Sequence, residues 1–497
     1  MERYLPVEPV DNVTTVAAAN GHLEILQWLY DIQQERVHFR DIEICGALEN
    51  KHHNVVACLR ERAMPRTECM DKVLRSAVKA GNLSIAKWLC DEFASDASDM
   101  LQFAINSCHE ETARWIIERF DVSGGNLKLY FLAKLGNLQL LKYLASRQMA
   151  TVHEGMLLVA AANGHLDVIK WLHCEQGLVL TSDAMREAAQ NGNVHVVQWL
   201  FDTDDSTCDS SVFVGAAEYG HLDVLQWLQT RWSGSCGTVA MDWAARSGHL
   251  DVVQWLHEHC DKGCSVNAVD EAATNGHLDV VKWLHKYRSE GCTTLAMDGA
   301  AACNGHVAVV QWLHANRSEG CTPLAMDWAA RNGHFDVVKW LGDNRSEGCT
   351  SAAMDKAARY GHLKVVKWLH AHRTEGCTIN AMNKAAEAGH LDVVKWLHTH
   401  RSEGCSRSAM TRAIANKHFD VIMFLHLHRN EGFDLPINMT IRLPLELQQW
   451  LVASYTDEVS GCHFETTKLD WHSSSDSLRR LEHAPAAVHV SYFNFTW

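Results

Sequence analysis

A chain of 497 residues with 45 Lys and Arg against 60 Asp and Glu has a formal net charge of −15, which repels a phosphate backbone and argues against nucleic acid as a general partner. Apolar residues make up 47% and charged residues 21%, the balance of a chain that folds around a buried core. No apolar run approaches the roughly 18 residues of a membrane span. The opening Met-Glu-Arg-Tyr-Leu-Pro-Val-Glu-Pro-Val has no basic-then-apolar leader, so the expectation is a cytoplasmic or nuclear protein with no membrane contact.

After a short tail over 1–11, a period sets in. Trp171, Trp199, Trp227, Trp255 and Trp283 stand 28 residues apart, Trp312 follows after 29, and Trp340, Trp368 and Trp396 after 28 each. Counting back, the anchor falls on Tyr143, Trp115, Trp88, Cys58 and Trp28; counting forward, on Phe424. That makes fifteen repeats over about 12–432, and the residue seven before the anchor is Gly in twelve of them, with Lys51, Cys108 and Lys417 as the exceptions. A fixed period of this length means one small supersecondary element stacked many times. Such a stack makes a surface rather than an active site.

Residues 321–348 show one repeat. Thr322 followed by Pro323 is a helix start, an N-cap and a first-turn proline. Leu324, Met326, Ala329 and Ala330 form the apolar side of this first helix, and Gly333 ends it where a left-handed residue is needed. A second helix is predicted from about His334 to Leu341, apolar at Phe335, Val337, Val338, Trp340 and Leu341, with Asp336 and Lys339 spaced to pair. An apolar surface on two sides requires a neighbour on each. Gly342 to Cys349 then reads as a polar loop in which Arg345 and Glu347 offset each other's charge.

Two short antiparallel helices, the Thr-Pro opening, the Ala-Ala of the first helix, the Asn-Gly-His turn and the Val-Val-x-x-Leu of the second resemble an ankyrin repeat. The resemblance implies an all-α solenoid of about 15 helix-turn-helix repeats with short loops. The family's repeat is usually longer, so its projecting β-hairpin finger is expected to be truncated here. The family's Thr-Pro-Leu-His motif is replaced by Ala325-Met326-Asp327. The short repeat with Trp-Leu-His looks like the arrays expanded in oomycetes and some large DNA viruses.

Residues 433–497 lie beyond the period. Leu443-Pro-Leu-Glu-Leu resembles the opening of an F-box, which would make 443–490 a recruiter of a ubiquitin-ligase scaffold. The other reading is a degenerate final repeat, in which Glu446, Leu447, Trp450 and Leu451 match a second helix. The Ser-rich stretch from His472 to Ser477 and the aromatic end from Val488 to Trp497 carry no assignment.

Three sets of residues carry a chemical suggestion. Nine of the 31 histidines follow the turn glycine (His22, His165, His221, His249, His277, His306, His334, His362 and His390), and a ladder at the repeat spacing does not converge on a metal. These are expected to tie the turn by hydrogen bonds. His257-Glu-His-Cys260 is the one local cluster of ligand character. The periodic cysteines Cys236, Cys264, Cys292, Cys321, Cys349, Cys377 and Cys405 sit too far apart for disulfides along a stack and read as small apolar plugs. No catalytic, cofactor or metal constellation is found, so no cofactor and no enzymatic activity are expected.

The expected function is a protein–protein interaction scaffold, a monomer acting on a protein partner with an acidic segment. Ankyrin proteins bind through the first helix and the loop tips, so the resemblance points to first-helix positions that vary between repeats: Trp243, Arg246, Glu271, Trp328, Arg331, Lys356, Arg359, Tyr360, Lys384 and Glu387. Trp243 and Trp328 are either interface anchors or fillers between helices, whereas Arg331, Lys356 and Arg359 form a basic stretch in an acidic chain.

Overall fold

The two-helix repeat forms as its start and stop residues require. Thr322 is extended (φ −106°, ψ 171°), its hydroxyl accepts the N–H of Leu324, and the helix Pro323–Asn332 ends on Gly333 at φ 77°. His334 leads into the second helix, Phe335–Asn344. This helix runs a turn beyond the expected end at Leu341, because neither Gly342 nor Asp343 breaks it and Asn344 donates its side-chain N–H to the Trp340 carbonyl (2.8 Å). The loop is therefore short, from Arg345 to Thr350, and no β-hairpin forms there. Asp336 and Lys339 stay exposed and do not pair.

The structure, a computed structural model, describes residues 11–32, 41–62, 70–93, 98–120, 127, 129–149, 151–232, 234, 237–302, 305–434, 440–455 and 463–466. The fold is an all-α repeat solenoid. The described residues form two compact bodies, one from residues 1–216 and 221–235, the other from 217–220 and 236–497. Helix pairs run from Asp11–Ala19 with Leu23–Ile32 up to Ser210–Glu218 with Leu222–Arg231, and from Val239–Ser247 with Leu250–His259 up to Arg407–Ala415 with Phe419–His428. That is eight pairs and then seven, the fifteen that the period counts. One small departure from all-α is a parallel two-stranded sheet, Thr440–Leu443 against His463–Thr466.

Within each body the core is a ladder. The alanine pairs of the first helices are fully buried wherever they occur, as at Ala329 and Ala330, and so are the valine pairs of the second helices, as at Val337 and Val338; several repeats carry another apolar residue in one of these places, such as Ile414 or Ile422. Small alanines let successive first helices close up, and valine locks into the ridge it meets.

Aspartate in place of the family's histidine has a clear use in the second body. The carboxylate of Asp327, 2% exposed, crosses to the next repeat and accepts both the N–H (2.8 Å) and the hydroxyl (2.6 Å) of Thr350. Thr350 in turn accepts the N–H of Ala352 (3.1 Å) and so caps its own helix. The same clasp joins Asp242 to Ser265, Asp270 to Thr293, Asp298 to Thr322 and Asp355 to Thr378. Asn383 makes a neutral version with Ser406. Burial pushes the Asp298 carboxyl above the usual range while the two bonds from Thr322 pull against it.

Asp327→Ala is expected to cost about 1–2 kcal/mol in urea melts, since it removes a buried acceptor and the two hydrogen bonds it takes from Thr350. Asp327→Asn is expected to cost clearly less, because Asn383 shows that the amide fits the same clasp.

Candidate partner-binding surface

Two joints hold the repeats in register before any surface is presented. The first is at the turn. Gly333 has φ +77°, and a Cβ placed there would meet the His362 ring of the next repeat at 2.6 Å. Gly276, the expected helix stop, likewise has φ +85° and lies against His306. The imidazole does not tie its own turn as expected; it reaches back one repeat. His165 donates its Nε2–H to the Lys134 carbonyl (2.9 Å), His221 to Gln190 (2.9 Å) and His418 to Glu387 (3.1 Å). The three exceptions to the glycine rule keep the left-handed backbone: Lys51 at φ 61°, Cys108 at 55° and Lys417 at 64°. Inside the first body the repeats that follow Lys51 and Cys108 carry the smaller Asn82 and Asn137 in place of His.

The second joint is at the loop. Arg345, at the C-terminal cap of its helix, pairs with Glu347 and donates to Nδ1 of His314 in the preceding repeat (3.2 Å). That histidine ring stands edge-on to Trp340, 5.2 Å away at 81°. Arg288 on His257, Arg317 on His285 and Arg401 on His370 repeat the arrangement. At Gly342 the histidine is missing and Trp368 folds in over the glycine, where it is 9% exposed. At the far end Tyr455 takes the arginine's place: its hydroxyl donates to Nδ1 of His426 (2.6 Å), whose ring is edge-on to Trp450. Trp450 belongs to helix Leu445–Ser454, in which Leu447 and Leu451 are buried.

The loop cysteines sit inside these joints. Burial, then the charge of Glu290, pushes the Cys264 thiol up to about 12, and burial with Glu375 does the same to Cys349. Glu319 feels burial against its charge, yet the bonds from Arg317 and its own backbone hold it down at about 2. His257-Glu258-His259-Cys260 does not converge: His257 serves Arg288, His259 donates to the Trp255 carbonyl (2.9 Å), and Cys260 is disulfide-bonded. Cys260 lies outside the periodic set, and the described members of that set, Cys264, Cys292, Cys321, Cys349, Cys377 and Cys405, are free. Cys236 and the stretches from His472 to Ser477 and Val488 to Trp497 lie outside the described residues.

The candidate residues fall into three groups along the first helices of the second body. Trp243 is half-buried with the Arg246 guanidinium 4.7 Å above its ring, and Arg246 reaches Glu271 at 3.8 Å. Lys384 pairs with Glu387 (2.9 Å), which also holds Arg412, a residue one period beyond Lys384. Trp328 is half-buried, one turn before the third group.

That third group is Arg331, Lys356, Arg359 and Tyr360. Tyr360 is exposed, and the guanidiniums of Arg331 and Arg359 each lie 5.5 Å from its ring centre. Arg331 also donates to the phenol oxygen (3.4 Å). That hydrogen bond, with the Arg331 charge behind it, lowers the Tyr360 pKa. Every loop arginine here pairs with the glutamate two residues on, and Arg246, Arg407 and Arg412 pair with Glu271, Asp434 and Glu387. Among the arginines of this body whose side chains are described, Arg331 and Arg359 alone have no carboxylate in ion-pair range.

A family model described as ankyrin repeats (3 copies) matches residues 184–270, 213–298 and 269–355. A second, described as ankyrin repeats (many copies), matches 157–201, 354–398 and 384–426. Together they span 157–426, more than half of the 497 residues, and the chain belongs to the ankyrin-repeat family. No curated protein matches it. Among solved structures it is similar to the pentatricopeptide repeat protein PPR10 from maize, at 12% identity over 85% of this chain and 75% of that one, TM-score 0.30. It is also similar to PPR10 in complex with an 18-nt psaJ RNA element, at 9% identity over 84% of each chain, TM-score 0.24. At these scores the likeness carries no argument.

Two outcomes follow for the joints. Burial lowers the pKa of His398 and His426, and the Arg429 charge adds to it at His398. A histidine whose folded pKa lies below its unfolded value of about 6.5 binds fewer protons when folded, so its contribution is full above about pH 6.5. It is lost as pH falls through the depressed value. Melting temperature should be level from neutral pH upward and drop below that window, and His398→Phe should make the drop shallower. Second, Cys264 and Cys349 stay protonated at mildly alkaline pH, so native alkylation by iodoacetamide, followed by mass spectrometry, should label the exposed Cys174 about tenfold faster or more.

Proposed function

We propose that the chain is a non-enzymatic interaction scaffold that holds an acidic segment of a protein partner on the first-helix face of its repeats. Ankyrin repeats bind protein partners, and the concave side lined by first helices is where this reading places the contact. The observation that carries it is the group of Arg331, Lys356 and Arg359 without carboxylate partners in a chain of net charge −15. A chain with acid to spare has left these cations unneutralised, and a positive patch steers an acidic partner and fixes its register. Trp243 with Arg246 and Glu271, and Lys384 with Glu387, extend the same face as flanking contacts.

The binding part is the repeat array over 12–432. Its repeat length and Trp-Leu-His support placing it with the short arrays of oomycetes and large DNA viruses. The alternative, a ubiquitin-ligase adaptor acting through 443–490, asks the Leu443 segment to recruit a scaffold protein. Helix Leu445–Ser454 sets Trp450 against His426 of the repeat before it and buries Leu447 and Leu451, which favours the repeat reading.

The test is Arg331→Glu with Arg359→Glu in a pull-down from cytoplasmic extract, read by mass spectrometry. Both side chains are exposed, so the melting temperature should not move. Acidic proteins captured by the parent chain should be lost. Full retention moves the interface off this face.

A further inference from the structure

We propose that Arg331, Lys356, Arg359 and Tyr360 form a receptor for a phosphorylated side chain of the protein partner, a reading that rests on the acidic-partner function above. Lys356, Arg359 and Tyr360 stand at i, i+3 and i+4 and so share one face at the end of helix Ser351–Arg359. Arg331 comes from the helix before and lies against the same ring, 5.5 Å from its centre. The ring gathers the two guanidiniums at its rim; one N–H of Arg331 goes to the phenol oxygen, and the remaining donors of both forks have no carboxylate to take them.

The charge at this point decides between ligands. Two guanidiniums meet at the ring, and the Lys356 charge stands one helical turn away. A partner carboxylate supplies one negative charge and two oxygens. A phosphomonoester supplies about −1.5 to −2 and three strong acceptor oxygens. The Tyr360 phenol adds a donor: its oxygen takes the bond from Arg331, and its own proton is left for a phosphate oxygen.

No carboxylate of the described residues supplies the anion. Glu387, the carboxylate one period beyond Arg359, is held by Lys384 and Arg412. Asp327 and Asp355 are turned to Thr350 and Thr378. Arg331, Arg359 and Tyr360 are exposed and Lys356 is half-buried, so binding is expected to weaken with added salt.

The experiment uses the full chain and three short fluorescent peptides with identical neutral flanks, carrying phosphoserine, glutamate or serine at the centre. Fluorescence anisotropy should show the phosphopeptide bound about tenfold tighter than the glutamate peptide, and the serine peptide unbound. Arg331→Ala with Arg359→Ala should abolish the difference at an unchanged melting temperature, while Arg331→Lys with Arg359→Lys keeps the charge, loses the forks and restores part of it. A glutamate peptide bound as tightly as the phosphopeptide overturns the phosphate receptor and leaves the acidic-partner reading standing. No binding of either overturns both. Phosphopeptide binding that survives the alanine pair, or inorganic phosphate competing at the same concentration as the phosphopeptide, also overturns the proposal.

Discussion

The whole arrangement depends on a side chain that leaves its own repeat. A two-helix repeat is too small to bury its alanine and valine rows, so each is folded only against its neighbours. Apolar stacking alone is indifferent to a slip or a rotation between near-identical faces. Three polar ties remove that freedom: Asp327 on Thr350 at the start of the first helix, His362 on the Gly333 turn, and Arg345 on His314 at the loop. Each is directional, and each joins consecutive repeats.

The periodic part of the fold was legible because a stack writes its spacing into the sequence. Trp and Gly at a fixed separation give the repeat, its number and the place of the turn. The ties were not legible in the same way. A periodic sequence shows which positions are equivalent and leaves open whether a side chain contacts its own repeat or the adjacent one. His362 therefore read as bracing its own turn, and Arg345 as a loop charge cancelled by Glu347. Asp327 read as a departure from the family motif, although it makes the most buried polar contact of its repeat. The end of the second helix was missed for a local reason: Gly342 suggested a stop, but Trp368 needs that glycine's missing side chain for its own ring.

The candidate surface divides along the same line. That Arg331, Arg359 and Tyr360 vary between repeats is a property of the sequence. That both guanidiniums lean on one ring, while nearly every other arginine of the body has found an acid, appears only once neighbouring first helices are set side by side. Arg412 escaped notice although it occupies the register of Lys384, because its role is to hold Glu387 from the following repeat.

The pairing of Lys51 with Asn82 and of Cys108 with Asn137 reaches beyond stability. In these two cases a side chain at the turn is followed by a smaller residue in the next repeat, so the two positions behave as one composite choice divided between adjacent modules. A repeat is then not a freely portable brick. One that ends in lysine carries a demand on whatever follows it, and one that opens with histidine carries a demand on whatever comes before. Shuffling, deleting or duplicating modules preserves the array only where both halves of that choice travel together, which gives an otherwise uniform ladder a grammar of permitted neighbours.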